Sequence, residues 1–162
     1  MSVDKAAVQR ELEEAWAELR ALVDSVPESE FEQPGVVDGW SLKDLLGHIA
    51  FWAEKAAGDL RLLAAGRPDE IETPGSEENV DAWNAREAAA RRGKSLKEVR
   101  EEWLKSFDAA RDALRGIEAE KLATQVKGLP QLNRFAGDTY EHYREHAAQV
   151  RAWQRQLETT EA

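Results

Sequence analysis

The sequence predicts an all-α protein, a four-helix bundle with a long crossover that carries a short extra helix. Three observations predict it. Four stretches of ~20 residues repeat apolar side chains at three- and four-residue spacing, one buried stripe each. Ala, Glu, Leu and Arg are the dominant residues, and all of them favour helix. Two stretches open on Ser-x-x-acid capping boxes, Ser41 with Asp44 and Ser95 with Glu98. Four amphipathic helices of this length bury their stripes most simply against one another.

The elements follow in order. The first helix is expected from Val3 to Ser25, with Val8, Leu12, Ala15, Leu19 and Leu22 on its stripe and Pro27 at its end. A loop rich in Pro and Gly leads to Trp40, placed to staple the chain onto the helix that Ser41 caps. That second helix carries Leu42, Leu45, Ile49, Trp52, Ala56, Leu60 and Leu63, and stops near Gly66. After a loop over 67–76, residues 77–92 form the short helix, anchored by Val80 and Trp83. The third long helix runs from the Ser95 cap to Gly116 through Leu96, Val99, Trp103, Phe107, Ala110 and Leu114. The last begins between Gln131 and Asp138, and Phe135, Thr139, His142, His146, Gln149 and Trp153 keep one register, which favours the earlier start. Trp16, Trp103 and Trp153 are expected in the core. The long 67–94 crossover implies a topology other than plain up-down-up-down. One domain is expected over 1–158, with a frayed tail over 159–162.

Composition narrows the function. Hydrophobic residues make up 42% and charged residues 33% of 162, as in a folded soluble chain. The net charge of −10 and the lack of a basic stripe argue against nucleic acid or an anionic membrane as partner. No signal-like or membrane-spanning run is present, so the protein is expected to be cytoplasmic. There is no cysteine, hence no disulfide, thiolate ligand or thiol nucleophile of its own.

The chemistry-bearing residues are the three histidines, His48, His142 and His146. His142 and His146 stand at i and i+4, one turn apart on one helical face, a spacing that lets both reach one ion. All three fall on or beside buried stripes. Burying three imidazoles is costly unless each finds a partner, and one divalent metal satisfies all three. Three ligands on zinc leave a fourth position open, as in catalytic sites. Zinc is the first expectation and nickel the second. Asp44 and Asp138, four residues before His48 and His142, are placed to accept an outer imidazole N–H, although the capping box already explains Asp44. Trp52, Asn84, Tyr143 and Gln149 are candidate pocket residues, and Trp83 a candidate substrate lid.

The run GWSLKDLLGHIAFW, followed by the distant H-x-x-x-H, resembles the DinB/YfiT-like superfamily over nearly the whole chain. The Trp83–Asn84 pair resembles the DfsB/ClbS-like branch. The resemblance implies a four-helix bundle whose three histidines hold a divalent ion, and a homodimer. It also implies thiol-dependent S-transferase or isomerase activity, or, in the DfsB/ClbS-like branch, protection against reactive small molecules. Three functions are therefore expected in this order. The first is transfer of a low-molecular-weight thiol to a small electrophilic substrate, the metal lowering the thiol pKa. The second is metal-dependent hydrolysis. The third is sequestration of a reactive molecule without turnover. The absence of an evident general base favours thiol transfer.

Overall fold

Asp4 opens the first helix, α1 (Lys5–Asp24), by accepting a hydrogen bond from the Ala7 backbone at 3.0 Å. The structure, a computed structural model, describes residues 2–161. Both expected capping boxes are complete, Ser41 with Asp44 at the head of α2 (Leu42–Ala64) and Ser95 with Glu98 at the head of α4 (Leu96–Gly116). The crossover between them holds α3 (Glu77–Arg91). The C-terminal third holds α5 (Gln131–Asp138) and α6 (Tyr140–Glu161).

The bundle is built from α1, α2, α4 and α6. α1 packs on α6 and α4, and α2 packs on α4 and α6. The sequence neighbours α1 and α2 therefore share one diagonal, and α4 and α6 the other. This is the non-simple topology that the long crossover implied. α3 rides on α2 and buries no residue completely.

The core forms where the stripes meet. Leu12, Leu19, Leu45, Ile49, Leu60 and Leu114 are fully buried, each contributing roughly 1.5–3 kcal/mol over an exposed side chain. Trp16 is the aromatic hub. Its ring lies 4.6 Å from Trp103, stacks on Phe107 at 4.6 Å and meets Tyr143 at 5.5 Å, centroid to centroid.

Two expectations need correction. The last helix is not continuous from Gln131, because the backbone leaves helical geometry at Thr139 (φ −124°, ψ −98°). The buried Thr139 hydroxyl donates to the Phe135 carbonyl at 2.6 Å, bonding back to the preceding turn. Residues 125–130, expected as loop, form a hairpin in which Gln125–Val126 pairs with Leu129–Pro130. Its turn residues Lys127 and Gly128 both have positive φ (49° and 86°), the geometry whose twist suits a two-residue hairpin. The polar tail is helical through Glu161, and the Thr159 and Thr160 hydroxyls donate to the Arg155 and Gln156 carbonyls. The expectation for Ala162 lies outside the described residues. Among the described residues no helix is long and apolar enough to cross a membrane.

Candidate metal centre

α2 and α6 bring the three histidines together. His48 lies on α2, two turns in from the Ser41 cap, and the Trp40 ring packs 4.9 Å from it. Trp40 thus both leads the chain into α2 and backs the imidazole. His142 and His146 lie one turn apart on α6. The Nε2 atom of His142 is central, 2.9 Å from Nε2 of His48 and 2.8 Å from Nε2 of His146. One ligand atom from each ring lies within 4.8 Å of the others.

Hydrogen bookkeeping limits what these contacts can be. His146 Nδ1 lies 2.5 Å from Gln149 Oε1 and donates its hydrogen there, which leaves a lone pair on its Nε2. A single hydrogen on His142 Nε2 serves one of its two contacts in good geometry. The other is then left unsatisfied, and without that hydrogen the Nε2 lone pairs of His142 and His146 face each other. A shared cation satisfies all three nitrogens at once.

The electrostatics agree. Burial, and then the charge of His146, lowers His48 from 6.5 to about 3. Burial chiefly, with the other two rings, holds His142 well below the usual range, and burial lowers His146 as well. All three rings are neutral at pH 7, the form in which imidazole binds a metal. The donor set therefore suits a metal ion.

The histidines line a cavity of about 520 Å³. Trp52 and Lys55 extend its wall along α2, Val80 and Asn84 contribute from α3, and Arg134, Gly137 and Asp138 from α5. The segment Glu72–Pro74 and Leu129 of the hairpin form its rim. Trp52 Nε1–H donates to Asn84 Oδ1 at 2.8 Å, tying the crossover helix to α2 beside the cavity.

Of the pocket candidates, Trp52 and Asn84 face the cavity, and Gln149 orients His146. Asp44 serves the α2 cap and bonds no histidine. Asp138 lines the cavity but does not bond His142, whose Nδ1 is buried without a partner among the described residues. The break at Thr139 removes the i,i+4 geometry on which that contact depended. Tyr143 is fully buried in the core against Trp16, since one residue past His142 is a 100° turn around the helix. Trp83 does not line the cavity. It stacks behind Trp52 (centroids 6.0 Å, planes 15°), while Val80 and Asn84 take the inner face of α3. Lys55 and Arg134 were not anticipated. Lys55 had a signal, being three residues after Trp52 and seven after His48 on one face of α2. Arg134 had none, because its place depends on the hairpin and on the break.

Fold and site together define a helical-bundle protein with a three-histidine cluster on the wall of an accessible cavity. The chain belongs to the family of mycothiol maleylpyruvate isomerase N-terminal domains, whose sequence profile matches residues 12–148, and with it to the DinB/YfiT-like superfamily. Among curated protein sequences none matches. Among solved structures, an uncharacterised protein from Escherichia coli UTI89 is similar with a TM-score of 0.82 and 14% identity, covering 98% of this chain and 96% of that one. The Sibling Lethal Factor Precursor DfsB is similar with a TM-score of 0.79 and 17% identity, covering 97% of both chains. A point mutant of the mycothiol-dependent maleylpyruvate isomerase has a TM-score of 0.74 at 16% identity, over 91% of this chain and 61% of that one. At these identities the likeness is one of fold.

Proposed function

We propose that His48, His142 and His146 hold one divalent ion, zinc before nickel, and that the protein transfers a low-molecular-weight thiol to a small electrophile. The observation that carries this reading is the convergence of three neutral Nε2 atoms on the wall of a cavity large enough for a small molecule. Membership of a family described by a mycothiol-dependent isomerase supports the thiol. A bound divalent ion would lower the pKa of a thiol and so provide a nucleophile at neutral pH. The chain has no cysteine and supplies no thiol of its own.

The protein's residues bind and position. Gln149 fixes the His146 tautomer, and Trp40 backs His48. Trp52, held by Asn84, forms a flat apolar wall beside the imidazoles.

The test is loss of a model electrophile on incubation with zinc-loaded protein, with and without a small thiol. Thiol-dependent turnover, abolished in His142→Ala, is the expected result. Metal-dependent turnover without thiol would replace this reading with hydrolysis. Capture of one electrophile per chain without turnover would replace it with a binding and protection role.

A further inference from the structure

The cavity carries a second polar group of side chains, away from the histidines. On α2, Lys55 stands seven residues beyond His48, about 10 Å along the helix. Its ammonium donates to both carboxylate oxygens of buried Asp59 at 2.8 Å and is thereby neutralised. Arg134 on α5 makes no ion pair among the described residues. Its Nη2 donates instead to the carbonyls of Val126 at 2.8 Å and Lys127 at 3.1 Å, and its Nε is buried without a partner. Those two bonds tie the guanidinium to the hairpin and fix its plane.

Asp138 lies one turn beyond Arg134, at i+4 on the same face of α5. Its carboxyl accepts no hydrogen bond among the described residues, yet the charges that act on it are those of Asp59, Lys55 and Arg134. Lys55, Arg134 and Asp138 all line the cavity, and Asp59 is bonded to Lys55. That pairing leaves Arg134 and Asp138 over. A guanidinium and a carboxyl one helical turn apart on the cavity wall, not bonded to each other, offer one donor and one acceptor to whatever enters.

We propose that this part of the cavity binds the α-amino-acid end of a small thiol, its carboxylate on Arg134 and its ammonium on Asp138. The inference rests on the thiol reading above and names the class of thiol. A guanidinium suits a carboxylate through paired N–H donors, and a carboxylate suits an ammonium through charge-assisted bonds. A ligand with a carboxylate alone would set its charge beside Asp138, and an amine alone would face Arg134. Only a ligand bearing both signs meets both residues. Leu129, 37% exposed, stands with Pro74 and Val80 at the cavity and offers an apolar wall to an aliphatic spacer.

The experiment is calorimetric titration of zinc-loaded protein at about pH 8, where Asp138 is ionised. The probes are straight-chain thiols of increasing length ending in an alcohol, a carboxylate, an amine or an α-amino acid. The protein has no cysteine, so the probes cannot form mixed disulfides with it. At the best length the α-amino-acid thiol is expected to bind about tenfold or more tighter than the alcohol. Arg134→Gln should bring the carboxylate-to-alcohol affinity ratio to about one, and Asp138→Asn should do the same for the amine-to-alcohol ratio. Equal affinity of all four end groups at every length, measured on the unaltered protein, overturns the inference while leaving the thiol reading intact. So does a preference that survives both substitutions. If no thiol of any kind binds, the thiol reading falls and this inference with it.

Discussion

Replacing Asp138 by asparagine should stabilise the metal-free protein, and by an amount that depends on pH. Burial, and then the charge of Asp59, pushes the Asp138 carboxyl up from 3.8 to about 7. Between those values the folded chain holds the proton and the unfolded chain does not. Stability therefore falls as pH rises from about 4 to about 7. Asparagine mimics the protonated acid and carries none of this cost. The gap between 3.8 and about 7, at 1.36 kcal/mol per pH unit, sets an upper limit of about 4 kcal/mol above pH 7. The side chain is partly exposed to the cavity, so solvent relaxation reduces this to about 2 kcal/mol. Urea denaturation of both proteins at about pH 4 and about pH 8 measures the difference, and the histidine contributions common to both cancel. The expected gain is near zero at the lower pH and about 2 kcal/mol at the higher, or roughly 4–8 °C in Tm for a chain of this size. An equal gain at both pH values, or a loss at pH 8, would refute the reasoning.

Three further outcomes are expected. Gln149→Leu removes the acceptor that fixes the His146 tautomer; zinc affinity, read by chelator competition, should fall about 10–100-fold, and an unchanged affinity would mean that Gln149 does not orient the ring. Tyr143→Phe deletes a hydroxyl buried without a partner; thermal unfolding should show stability unchanged or raised by about 1 kcal/mol, with zinc affinity intact, whereas weaker zinc binding would place the hydroxyl at the cavity. Ser41→Ala breaks the cap of the helix that carries His48; a loss of about 1 kcal/mol is expected in denaturant, and no loss would show that the Asp44 half of the box suffices alone.

The parts of this molecule that were legible in its sequence are those governed by local rules. Ser41 with Asp44 and Ser95 with Glu98 mark helix starts because a cap requires those residue types at that spacing, and both boxes form. The stripe through His142, His146 and Gln149 fixed which side of α6 they share, because the helical period is set by the backbone. What escaped depended on contacts distant in sequence or on a single backbone angle. Thr139 continues the three-four pattern unbroken, so nothing in the periodicity marks the break there. That break in turn carries Asp138 away from His142. Tyr143 is a candidate pocket residue in the sequence and adjoins His142, but the 100° step sends it to Trp16. Arg134 looked like any charged helix residue, and its orientation comes from the carbonyls of a hairpin too short to show an alternating pattern.

The most direct test of the central claim is the metal content of protein purified without a histidine tag and dialysed against zinc. One ion per chain is predicted, and less than a tenth of that in His142→Ala, since the lost Nε2 is the one that touches both others. Metal content that is negligible in the unaltered protein, or that stays at one ion per chain after the substitution, would contradict the account.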